Sequence, residues 1–329
     1  MNNFKKIGLS ALAGSLVAFS AANAGSLSVS GAAKFTYTGD SGNEDLGDDG
    51  NRFGIAQAVG FSGTAELDNG HTASIFHSVN GDSSTSSVIT YDMGDLGTLR
   101  YQQDSGSLGI GIIDDLTPSA DEEVWNGIDA DIATDANEAF VGKVSGGTTG
   151  FNYRNASVEG VTIDVGYAPK TTTGTVDEGG QSGTGGLRST VSVAVQYTGV
   201  EGLNIYAGMG EVGNAANDTD HDTYGVKYAW GPVTVGYQHS EIDYVAASSD
   251  LETDMYSIAF AINDSLSISY GSMETEEDGS SIDQEITGFS IGYSMGGMSF
   301  KAHRNKGENI NNEASNESEH TEFAVSFAF

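Results

Sequence analysis

Cations are scarce in this chain, with 13 Lys and Arg against 46 Asp and Glu, so the position of each is informative. Lys34, Arg52, Arg100 and Arg154 all fall in stretches where apolar and polar residues alternate, and each takes the polar phase. Lys34 stands opposite Ala33, Phe35 and Tyr37, and Arg52 opposes the phase of Phe53, Ile55, Val59 and Phe61. Arg100 lies between Leu99 and Tyr101, and Arg154 follows Tyr153 on the side of Asn152. Lys227, Lys301 and His303 share that phase in their own segments. Between Asp104 and Gly147 the charge inverts: ten acids, among them Asp114, Asp115, Asp121, Glu122 and Glu123, accompany Lys143 alone. A basic wall facing an acidic loop across a gap makes a transverse field that orients dipolar solutes and disfavours apolar ones. This is chemistry of passage and makes or breaks no bond.

Other reactive patterns are weaker. "GFSIG" (288–292) and "GYSMG" (292–296) match the G-x-S-x-G nucleophile pattern. They overlap inside one alternating segment with no helix to follow, so the strained turn that exposes a nucleophile has no place to form. "DADIATDANE" offers Asp129, Asp131, Asp135 and Glu138 as oxygen ligands for a structural Ca²⁺, but lacks the glycine and spacing of a helix–loop–helix calcium loop. No other cofactor is expected, and the six His form no metal-ligand spacing. A formal charge of −33 excludes nucleic acid as a partner, since phosphate binding needs basic surface.

The elements that must position these side chains are strands. Lys5 and Lys6, an apolar run from Ile7 to Phe19 and Ala22-Asn23-Ala24 read as a signal peptide over 1–24. Its apolar core is too short to span a bilayer, and its removal moves the net charge from −33 to −35. There is no cysteine, so no disulfide frames the exported chain. From residue 25 to 329, period-2 alternation recurs: "LSVSGAAKFTYT", "VTIDVGYA", "STVSVAVQY", "TYGVKYAW" and "LSISYGSM" are examples. Tight-turn sequences such as "DNG", "GVEG", "GP" and "MGG" alternate with polar stretches such as 171–188, 273–283 and 305–319. Seven short turns and eight long loops make sixteen strands.

Strict alternation of short and long connections suits a transmembrane barrel and not a soluble sandwich. About sixteen strands enclose a water channel, with the apolar face on lipid. The closing segment "HTEFAVSFAF" then makes sense: Phe323, Val325, Phe327 and Phe329 meet hydrocarbon while the strand pairs with the first and leaves no edge. Residues 104–147 form a third loop too long for a compact domain unless functional. "TPSADEEVW" within it has helix-start chemistry, with Ser119 at the cap and acids in the first turn. Folding this loop into the lumen would set its carboxylates against the basic wall; a solvated acidic surface loop is the alternative.

The alternating strands, the terminal Phe329, "ITYDMGDLGTLRYQQDSGSLG" (89–109) and "FNYRNASVEGVTIDVGYAP" (151–169) together resemble Gram-negative general-diffusion porins. The resemblance implies an outer-membrane location, passive diffusion of small hydrophilic solutes and ions, a homotrimer, and assembly machinery that reads the terminal Phe329. Small residues Gly31 and Ala33 and polar His77 on the lipid phase of early strands fit a covered subunit contact. Loop acids outnumber the four named cations, which favours weak cation selectivity. The other reading is a secreted acidic β-rich binding protein or calcium-dependent adhesin, which needs soluble-core faces or repeated calcium motifs.

Overall fold

The computed structural model describes residues 26–42, 52–81, 83–103, 105–128, 144–170, 188–213, 218–244 and 250–329. The leader at 1–24 lies outside them, as do Asp129, Asp131, Asp135 and Glu138. Sixteen strands follow one another: β1 Ser26–Gly42, β2 Phe53–Glu66, β3 Thr72–Asn80, β4 Ser83–Asp92, β5 Thr98–Gln103, β6 Gly150–Asn155, β7 Val161–Ala168 and β8 Thr190–Tyr197 make the first half. The second half is β9 Leu203–Gly213, β10 Asp218–Trp230, β11 Val233–Tyr244, β12 Leu251–Asn263, β13 Leu266–Glu277, β14 Gln284–Met295, β15 Met298–Glu308 and β16 Glu317–Ala328. Each pairs antiparallel with its neighbour in sequence, and β1 pairs with β16, so the sheet is a closed barrel.

Closure removes every unpaired strand edge, which lets a sheet stand in hydrocarbon. At the seam Lys34 lies opposite Ser326 and Phe35 opposite Val325. Phe329 extends the pairing: its N–H donates to Gly31 O at 2.8 Å, and Gly31 N–H donates to Phe329 O at 3.1 Å. Its ring projects outward, 83% exposed.

Two faces follow from the period of two. On β12, Tyr256 and Ile258 are 52% and 45% exposed while Met255 and Thr253 are buried at 2% and 1%. Large apolar side chains line the outside of the whole barrel, Ile55, Ile75, Ile89, Tyr224 and Phe289 among them. Water would oppose such a surface, and hydrocarbon solvates it. On one end the outward phase changes character: Asp222, Glu241, Glu252, Glu274 and Glu285 continue the columns of Tyr224, Tyr237, Tyr256, Tyr270 and Phe289. That step from aromatic to carboxylate is the level where apolar solvent ends.

The short turns are as read: Gly70 of "DNG" takes φ 80° and donates its N–H to Leu67 O at 2.8 Å. The opposite end differs from the sequence reading. β3 and β4 are joined by residues 81 and 82 only, so the loops there are not uniformly long. Stretches 273–283 and 305–319 are partly strand, since β13 runs to Glu277, β15 to Glu308 and β16 starts at Glu317. Beyond the apolar level the outward residues turn acidic while inward ones such as Leu251, Met273 and Ile286 are buried against loop 3 and the wall, so the apolar-outside pattern that marks a strand is lost and extended backbone reads as loop.

Candidate constriction: the third loop on the inner wall

Loop 3 joins β5 to β6, and its described residues lie against the inside of the barrel. It starts as a short 3-10 helix over Gly109–Ile113. Gly109 N–H donates to Asn152 Oδ1 at 2.9 Å and Ile110 N–H to Ser192 Oγ at 3.1 Å, which ties this helix to β6 and β8. Ile110, Ile113, Val144, Ala194 and Tyr206 form a buried cluster between loop and wall. Further on, Gln238 of β11 donates to Asp114 O at 2.5 Å and accepts from Leu116 N–H at 3.3 Å. Ala120 N–H donates to Ser269 Oγ at 2.9 Å, and Asn305 of β15 donates to Asn126 O at 2.9 Å. A second cluster of Trp125, Ile128, Met255, Met273, Ile286 and Ile310 holds the far end. The described loop therefore crosses the wall from β6 to β15 in continuous contact.

Its middle is not a helix. Ser119 Oγ donates to Glu122 O at 2.8 Å and accepts from Asp121 N–H at 3.3 Å, and bends and turns run to Ile128. Local capping chemistry is present, but wall contacts on both sides fix the backbone and override helix propensity. Ser290, the serine of "GFSIG", stands mid-strand with its hydroxyl 2.6 Å from Ser269 Oγ. It belongs to the loop's seat.

The acidic loop and the basic wall meet in contact rather than across an open gap. Asp121, whose side chain is 2% exposed, pairs with Lys301 Nζ at 3.1 Å and with His303 Nδ1 at 2.9 Å. Burial opposes ionisation of Asp121, yet the hydrogen bonds from His303 and Lys301 and their charge outweigh it, so the carboxyl is held below its ordinary range. Glu122 lies 3.8 Å from Lys34, whose nearer partner is Glu322 of β16 at 2.8 Å. Asp115 behaves oppositely: burial pushes its carboxyl up, against hydrogen bonds from Thr117. The ring of His303 lies tilted against that of His320, centroids 5.4 Å apart, and His320 Nδ1 pairs with Asp40. Glu123 lines the same cavity as Glu122, beside Val124 and Trp125.

The four wall cations divide. Lys34 reaches the loop's middle. Arg100 donates to Ser107 O at 3.4 Å, at the loop's root. Arg154 makes a two-pronged pair with Asp164 of β7, at 2.8 and 3.0 Å. Arg52 precedes β2, is exposed, accepts from Thr38 N–H at 2.9 Å, and its guanidinium lies 3.8 Å from where a Cβ of Gly39 would stand. Phase alone hid one lumen residue. Phe76 faces inward on β3, between Ser74 and Ser78, and covers Gly60 of β2, whose Cβ would stand 3.1 Å from the Phe76 ring. Its cross-strand neighbour is Val88. An aromatic on the polar phase reads as noise in an alternation, although the phase of Ile75 and Val79 gives its direction.

Comparison with known proteins agrees with this architecture. A family model described as Gram-negative porin matches residues 8–329. An anion-selective porin from Comamonas acidovorans superposes with a TM-score of 0.65 at 14% identity, covering 93% of this chain and 100% of that one. OmpT of Vibrio cholerae, in a trimer form, gives a TM-score of 0.61 at 12% identity over 93% and 99% of the two chains. OmpF of Salmonella typhi in complex with daunomycin gives 0.64 at 12% over 92% and 97%. No curated protein sequence matches the chain.

Proposed function

The chain belongs to the Gram-negative porin family, and from that premise we propose that it is an outer-membrane channel for passive diffusion of small hydrophilic solutes and ions, weakly selective for cations. The observation that carries this reading is the inner lining: a closed sixteen-strand wall with loop 3 folded along it and charged groups of both signs at the narrowing. Asp114, Asp115, Asp121, Glu122, Glu123, Asp164 and Glu322 outnumber Lys34, Arg100, Arg154, Lys227 and Lys301 there. Asp115, pushed toward its neutral form, reduces the surplus. A small net negative charge within a Debye length of ~8 Å gives a modest cation preference that fades as salt rises. Reversal potentials across a planar bilayer in a KCl gradient test it. Cation preference that grows in Arg100→Ser is expected, and anion preference in the wild type refutes it.

Two further readings go with the channel. Residues 1–24 act as a signal peptide, to be tested by the N-terminal sequence of the exported protein. Three copies associate through the outward face of the early strands, where His77 Nδ1 lies 2.8 Å from Ser87 Oγ and Gly31 and Ala33 leave the face shallow. The trimer form recorded for Vibrio cholerae OmpT supports this association. A native mass equal to one chain in mild detergent would remove it.

A further inference from the structure

Glycine takes the inward phase of the wall at several points where loop 3 passes. Gly166 of β7, Gly208 of β9, Gly236 of β11, Gly271 of β13, Gly292 of β14 and Gly307 of β15 share this placement. A Cβ on Gly166 would stand 2.5 Å from Gly109 N, one on Gly208 2.9 Å from Ile110 Cγ1, and one on Gly271 2.5 Å from Val124 Cγ1. On Gly292 it would stand 2.6 Å from Ala120 O, on Gly236 it would enter the Pro118 ring, and on Gly307 it would stand 2.8 Å from Ile128 Cγ2, with Ile310 Cδ1 nearer still at 2.3 Å. None of the six takes a positive φ, so the strand backbone at each would accept a side chain. Glycine inside a strand weakens it and packs nothing. What all six have in common is close approach of the loop.

We propose that these glycines are positioning residues of the constriction. Together they form a groove, one side chain deep, that sets how far loop 3 stands from the wall. That depth fixes the open cross-section and how close Glu122 and Glu123 stand to the pore axis. The order of contacts supports a continuous seat: Gly109 and Ile110 meet β7 and β9, Pro118 meets β11, and Ile128 meets β15. The inference rests on the diffusion-channel reading and adds to it the residues that set the bore.

The test uses purified full-length protein in planar bilayers, with heat-modifiable mobility on gels as the check on folding. Gly271→Ala meets the Val124 side chain and Gly292→Ala meets the Ala120 backbone, so each displaces the loop toward the lumen by roughly 1 Å. Single-channel conductance is expected to fall about 1.3-fold in Gly271→Ala and further in Gly292→Ala, for a displacement of that size in a narrow bore. Gly271→Ala combined with Val124→Ala restores the wild-type value, because the clashing methyl groups are gone. Gly54→Ala, inward on β2 against only the Thr36 side chain, leaves conductance unchanged. Folded Gly271→Ala and Gly292→Ala proteins with wild-type conductance overturn the proposal, as does failure of Val124→Ala to rescue. A wild-type protein that does not conduct would instead overturn the channel reading, which keeps the two failures apart.

Discussion

Asp121→Ala removes the carboxylate that fastens the middle of loop 3 to β15. Two charged hydrogen bonds are lost, from His303 at 2.9 Å and from Lys301 at 3.1 Å. Asp121 and His303 are dry, with side chains 2% and 0% exposed, so their bond counts in full at about 2 kcal/mol. Lys301 is 39% exposed, and solvent screening reduces its share to about 1 kcal/mol. The sum, about 3 kcal/mol, raises the population of a lifted loop on the order of a hundredfold. Gln238, Asn305 and the Trp125 cluster still hold either side, so only the middle lifts. In bilayer recordings the variant should show frequent brief current steps where the wild type is quiet. Asp121→Asn, which keeps an acceptor without the charge, should lie between them. Acid should imitate the mutation with a definite sign. A carboxyl held below its ordinary range stabilises the seated loop fully above about pH 4 and loses that contribution as pH falls through its own lower value. The wild type should therefore stay quiet through mild acid and become noisy only well below pH 4. Equal step frequency in Asp121→Ala and wild type at neutral pH would refute the reasoning.

Deleting Phe329 removes two backbone hydrogen bonds to Gly31 at the β1–β16 seam, worth about 1 kcal/mol each in water and more in hydrocarbon. The fraction of heat-modifiable barrel on gels should fall, and unchanged assembly counts against the seam's dependence on that residue. Phe76→Ala clears an aromatic ring from the lumen wall over Gly60. Conductance for small ions should rise while uptake of aromatic solutes, measured by liposome swelling, loses any advantage over polar solutes of equal size; no change in either refutes a lumen role for Phe76.

The fold was legible because two different solvents act on the two sides of each strand. Water in the bore and hydrocarbon outside impose opposite demands at every second residue, and Lys34, Arg100, Arg154, Lys227 and Lys301 obey them through position alone. The signal stops where hydrocarbon ends and the outward face turns acidic. Past Tyr256 and Tyr270 the outward phase turns acidic, so Glu274 and Glu276 belong to a strand that reads as loop although Met273 and Thr275 beside them stay buried. Loop 3 was legible only as a length and a charge. Its path depends on partners far away in sequence, from 43 residues for Gly109 and Asn152 to 182 for Glu123 and Asn305, and no local propensity encodes those. The groove that receives it was silent for a different reason: glycine has almost no hydropathy, so six glycines on one phase leave the alternation intact while deciding where the loop can lie. Composition recorded them as 46 glycines in a turn-rich chain. The informative question for a barrel of this kind is which inward positions hold glycine without a positive φ, since each such position marks where something else must fit.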